Sequence, residues 1–135
     1  MYLLDTCVVS EARRRTPQAA AWIRGAQSET LFLSVITIGE ITKGIMLKAR
    51  SDAPQAAVLM RWLDELRFVY GNRILPIDDA VAVTWGKLMA QRTRQMAAAL
   101  IAATARVHNK VIVTRNIPDF ADCGVDVIDP WEVYR

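Results

Sequence analysis

Histidine is nearly absent from this 135-residue chain: His108 is the single copy. It follows a helical stretch and precedes Asn109-Lys110, which makes it a helix-end residue rather than a catalytic base. The chain has no plausible Ser-His-Asp set, so a serine-hydrolase reading fares poorly. It also has no glycine-rich phosphate loop, which argues against nucleotide binding. Cysteine is scarce as well. Cys7 and Cys123 lack metal-site spacing and are expected as free thiols. No apolar run approaches the ~20 residues that span a bilayer. The start has neither the basic segment nor the apolar stretch of about 7–15 residues that make a secretory signal. A soluble cytoplasmic protein with no membrane partner is therefore expected. Internal repeats, low-complexity segments and linkers are lacking too, so residues 1–135 are read as one domain.

What is present fits a folded protein. Hydrophobic residues make up 53% and charged residues 23% of the chain, which excludes a disordered class. The net charge of +3 is compatible with an anionic partner such as nucleic acid, but too mild to demonstrate one.

Asp5 organises the reading. Tyr2-Leu3-Leu4 is a short apolar run suited to a strand covered on both faces, and Asp5 closes it. The residue is read either as the cap of a helix over Val8 to Arg15 or as a metal ligand in the crevice beyond the strands' carboxyl ends. Arg13, Arg14 and Arg15 end that helix, where cations suit the dipole. Thr16-Pro17 starts a second helix, which Gly25 ends. Leu31-Phe32-Leu33 is the second strand, and Ser34 is positioned to cap a helix over Val35 to Lys48. Glu40 lies off its apolar stripe, with Gly44 one turn later in a packing or clearance role. A solvated Glu40 is the plain alternative.

A break at Ser51-Asp52-Ala53-Pro54 precedes a helix over Gln55 to Phe68. Ile74-Leu75 makes an edge strand because Pro76 follows. Asp78-Asp79 opens a helix over Ala80 to about Arg94, and alanine-rich Met96 to Val107 makes another. Val111-Ile112-Val113-Thr114 is the clearest strand, followed by the polar loop Arg115 to Phe120. Val125 to Ile128 is the last strand. Trp22, Trp62, Trp85 and Trp131 read as core or interface surface. This run of βα units predicts an α/β fold, a mostly parallel sheet of four to five strands with helices on both faces. In such a sheet Asp5, the helix carrying Glu40 and the Arg115–Asp119 loop share one rim. That convergence favours the ligand reading of Asp5.

Four stretches then stand in order: Leu3-Leu4-Asp5-Thr6, Leu33 to Glu40, Leu100-Ile101-Ala102-Ala103-Thr104-Ala105, and Thr114 to Phe120. Together they resemble the signature stretches of PIN-domain toxins. Within that family the chain is most similar to VapC-type toxins of bacterial toxin–antitoxin modules, including the FitB-like branch. The resemblance runs from residue 1 to Trp131. It implies a Mg²⁺- or Mn²⁺-dependent endoribonuclease of a type II system, neutralised by a small antitoxin protein and usually a homodimer.

By the same resemblance Asp5 is the first acid and Glu40 the second. The third acid falls at Ala98. Asn116 takes the fourth position, where many relatives have Asp, with Asp119 close behind. A turn residue and a loop cap are the plain alternatives for these last two. Asp5 and position 98 would serve the metal. Thr6, Thr114 and Arg115 would meet substrate. Cys7 stands where Asn is common, and the segment between Arg94 and Ala98 is shorter than in relatives. Alanine at 98 removes a negative ligand, so the chain as written is expected to be inactive or weakened, by deliberate substitution or as a natural degenerate copy. The alternative is a non-catalytic PIN-like module that binds an antitoxin or RNA.

Overall fold

The computed structural model describes residues 1–14 and 16–133. Its centre is Tyr2–Leu4 (β1), in which Leu3 and Leu4 are both fully buried because they enter cores on opposite faces of the sheet. Burying one Leu side chain is worth about 1.5–3 kcal/mol, so a strand of three residues holds its place. Four further strands join it: Leu31–Ser34 (β2), Ile74–Leu75 (β3), Val111–Val113 (β4) and Val127–Ile128 (β5). All pair in parallel, in the order β3-β2-β1-β4-β5. In register, Leu3 lies opposite Phe32 on one side and Ile112 on the other. The short, Pro-terminated β3 is at the edge, as its sequence predicts.

The helices are Thr6–Arg13 (α1), Pro17–Gly25 (α2), Val35–Ala49 (α3), Ala53–Tyr70 (α4), Asp79–Gln91 (α5), Met96–His108 (α6) and Pro130–Val133 (α7). Val8, Trp22, Ile45, Leu63 and Trp131 pack on one face of the sheet with Leu4 and Leu33. Val81, Leu88, Ile101, Ala102 and Phe120 pack on the other with Leu3 and Ile112. The fully buried alanines of α6 let that helix lie close against its neighbours. No helix among the described residues is long and apolar enough to cross a membrane.

Several boundaries differ from expectation, each for a local reason. The first helix starts at Thr6 rather than Val8, because the Asp5 carboxylate accepts from the Thr6 N–H at 2.8 Å. It ends at Arg13, and Arg15 lies outside the described residues. The fourth helix starts at Ala53, since Asp52 accepts from the Gln55 N–H and Pro54 tolerates a first-turn position. The fifth stops at Gln91 rather than Arg94, with Arg92 fully extended. The last strand is Val127–Ile128, two residues shorter than expected. Gly44 does not serve close packing: a Cβ there would meet nothing within 4 Å.

The chain runs from β1 outward through β2 and β3, then returns to place β4 on the opposite side of β1. The β1/β4 boundary is thus the point where the winding reverses, and crevices at such points are the usual ligand sites of open parallel sheets.

Candidate functional site

Residues from four segments meet beyond that boundary. Asp5, Thr6 and Cys7 come from the end of β1 and start of α1. Glu40 comes from α3, and Gln95, Ala97 and Ala98 from the start of α6. Asn116 and Asp119 follow β4. All line one cleft of about 290 Å³. The three acids 5, 40 and 119 and the alanine at 98 therefore line the same cleft.

Asp5 is held by three donors. Its Oδ1 accepts from the Thr6 N–H, while Oδ2 accepts from the Thr114 hydroxyl at 2.7 Å and from the Cys7 thiol at 3.5 Å. The Thr114 Oγ1 in turn accepts from the Asn116 N–H at 2.9 Å, tying the β4 loop to the same network. Burial pushes the Asp5 carboxyl above its ordinary pKa, against the lowering effect of its donors, and the nearby Glu40 charge adds to the rise. Cys7, buried beside Asp5, has its thiol pushed up to about 11.

Glu40 is exposed, and its Oε1 accepts from the Thr6 hydroxyl at 2.7 Å. Thr6 Oγ1 also lies 3.0 Å from Thr37 Oγ1, one turn earlier on α3. Thr6 therefore bridges the two acids, through its N–H to Asp5 and its O–H to Glu40. Asn116 and Asp119 are exposed at the rim.

Two residues expected to meet substrate are engaged elsewhere. The Thr114 hydroxyl is fully buried and committed to Asp5. The Arg115 guanidinium lies 4.9 Å over the Trp131 ring, although the residue itself is exposed. Thr37 and Gln95 were not singled out from the sequence. Thr37 lies three residues before Glu40 on the same helix, which is the signal that identifies it; Gln95 sits in extended backbone just before α6 and carries no such signal.

Among the described residues no three His, Cys, Asp or Glu side chains gather closely enough to hold a metal ion. The nearby donors, Asp5, Glu40 and the Asn116 amide, are nonetheless oxygen donors. Mg²⁺ is commonly held by one or two carboxylates plus waters. The residues present therefore fit a hard divalent cation, with less negative charge than a site carrying an acid at 98.

A second concavity, about 630 Å³, begins at Thr6 and Glu40 and runs between α1, α3 and α4. Ile41, Ile45, Leu59 and Trp62 make it apolar, while Arg13, Arg14 and Lys48 make it basic. Arg14 also pairs with Glu11 at 3.6 Å.

Residues 2–122 match the model of the PIN domain. The chain belongs to the PIN-domain family. It is 35% identical to a VapC ribonuclease of Sinorhizobium fredii, covering 98% of this chain and 99% of that one. It is 33% identical to toxin FitB of Neisseria gonorrhoeae, covering 97% and 99%. The crystal structure of FitAcB from Neisseria gonorrhoeae superposes with a TM-score of 0.88 at 32% identity, over 97% of this chain and 99% of that one. Among PIN domains this chain thus sits with the VapC and FitB toxins, and its five-stranded parallel sheet is their fold.

Proposed function

We propose that the chain is the toxin of a type II toxin–antitoxin pair, a Mg²⁺- or Mn²⁺-dependent endoribonuclease built on Asp5, Glu40, Asn116 and Asp119 and weakened by alanine at 98. The observation that carries this reading is the Thr6 bridge, which sets Asp5 and Glu40 side by side in a cleft that Ala98, Asn116 and Asp119 also line. A bound divalent cation would supply a water of lowered pKa and neutralise charge on the scissile phosphate. Asp5 and Glu40 would hold it. Thr6, Thr114 and the Asn116 backbone keep those acids in place, and burial of Asp5 sharpens its demand for a cation. Asn116 and Asp119, at the rim, would position the phosphate. The exposed Arg115 would add a sequence-independent phosphate contact.

The test is Ala98→Asp. The variant is expected to gain divalent-dependent cleavage of RNA and to arrest growth when induced, with Glu40→Gln abolishing both. Failure to cleave RNA, with Mg²⁺ bound no better than before, would sink the enzyme reading.

A second reading keeps the fold and drops the chemistry: a PIN module that binds its antitoxin or RNA without cutting. Alanine at 98 favours it, as does the finding that among the described residues no three His, Cys, Asp or Glu side chains gather closely enough to hold a metal ion. In either reading the partner would be an antitoxin protein: the relative FitB is a toxin, and a toxin–antitoxin complex from Klebsiella pneumoniae shares this fold. The groove between α1, α3 and α4 suits it, with an apolar floor for a partner helix and basic residues for acidic side chains. A homodimer in the cytoplasm completes the proposal.

A further inference from the structure

We infer that the turn between α5 and α6 is a second RNA subsite, seating a phosphate of the strand one step along from the catalytic cleft. The inference rests on the ribonuclease reading above. A separate cleft of about 310 Å³ opens beside Arg92, Thr93 and Arg94. It shares Gln95, Ala98 and Asp119 with the catalytic cleft, so the two are neighbouring parts of one trough.

The two arginines do different work. Arg94 is spent on structure. Its Nε donates to the Leu88 carbonyl at 3.0 Å, Nη1 to the Ala121 carbonyl at 3.0 Å and to Cys123 Sγ at 3.2 Å, and Nη2 to Gln91 Oε1 at 3.2 Å. Arg92 is exposed, and its Nη2 donates to the Ala121 carbonyl at 3.2 Å. A guanidinium has five N–H donors, and a planar pair of them matches phosphate. Thr93, also exposed, lines the same cleft. Asp119 lines both clefts, so Arg92 supplies the positive charge that offsets its carboxylate on this side. A phosphodiester strand that enters the catalytic cleft therefore has a cationic seat waiting on this side.

The experiment measures binding of a short fluorescein-labelled single-stranded RNA to the full chain by fluorescence anisotropy across a salt series. Arg92→Ala should weaken binding several-fold for all RNA sequences alike. It should lower the slope of log affinity against log salt by about 0.7, the value for one lost phosphate contact on a single strand. Arg61→Ala, on α4 and lining neither cleft, should change neither. Thermal melts check that the variants fold, and Arg92→Gln repeats the test with chain length kept. In the Ala98→Asp background Arg92→Ala should raise KM and leave kcat unchanged.

If Ala98→Asp cleaves RNA while both Arg92 variants bind with unaltered affinity and salt slope, the subsite is wrong and the ribonuclease reading stands. If Ala98→Asp cleaves nothing and the chain binds no RNA, the ribonuclease reading falls and the subsite with it. Inorganic phosphate is the remaining arm. It should displace the RNA in an Arg92-dependent way at concentrations where chloride of equal ionic strength does not; if phosphate binds in an Arg92-dependent way without displacing RNA, the seat is for the free ion and the strand proposal is overturned.

Discussion

At the scale of single residues, the cap and ligand readings of Asp5 are not alternatives. One oxygen caps α1 while the carboxylate as a whole faces the cleft. Folding raises its pKa above 3.8, so the folded chain holds this proton more tightly than the unfolded one. That contribution to stability is complete below the ordinary value and is lost as pH climbs through the raised one. Thr114 limits the loss by donating to the charged form. Thr114→Val should therefore cost about 1.5–3 kcal/mol at neutral pH, the worth of a hydrogen bond to a charged group. It should cost less in acid, where Asp5 is protonated. Urea unfolding at the two pH values checks this, and an equal cost at both would show that Thr114 does not serve the carboxylate. The sequence offered Asp5 and Glu40 through their places after strands. It could not show that Thr114 is buried, because burial depends on β4 lying beside β1.

At the scale of elements, the α5–α6 connection is where sequence and structure part most. The sequence reading carried α5 on to about Arg94, whereas the helix stops at Gln91. The reason is remote in sequence. Arg92 and Arg94 reach the carbonyl of Ala121, near thirty positions further on, and no local propensity records that. Arg94 thereby fastens the end of α5 to the turn just after Asp119. Arg94→Ala should destabilise the fold by about 1–3 kcal/mol and speed amide exchange around residues 120–123. Arg94→Lys should not rescue it, since an ammonium cannot span the same acceptors. Unchanged exchange in that turn would count against the latch. By contrast α6 and β4 were plain from sequence, one rich in buried alanine and the other β-branched, because their composition and their environment agree.

At the scale of the whole molecule, βα alternation was enough to predict a parallel sheet with helices on both faces. Strand order was not legible, since it depends on which crossovers pack best. The groove between α1, α3 and α4 was likewise invisible, so the sequence could not choose between packing and clearance for Gly44; its missing side chain leaves the groove wall open rather than admitting a close neighbour. Gly44→Ala should raise stability by up to about 1 kcal/mol through helix propensity. Gly44→Arg should keep the fold and block the partner protein, measured as lost co-purification with the antitoxin. Continued capture of the partner would place its seat elsewhere.

The pairing of β1 with β4 joins residues more than a hundred positions apart, and Thr114 reaches Asp5 across 109 of them. A chain still emerging from the ribosome has its first acid but not the strand against which that acid is set. The cleft at the end of β1 can therefore be completed only late in synthesis, once β4 has been made.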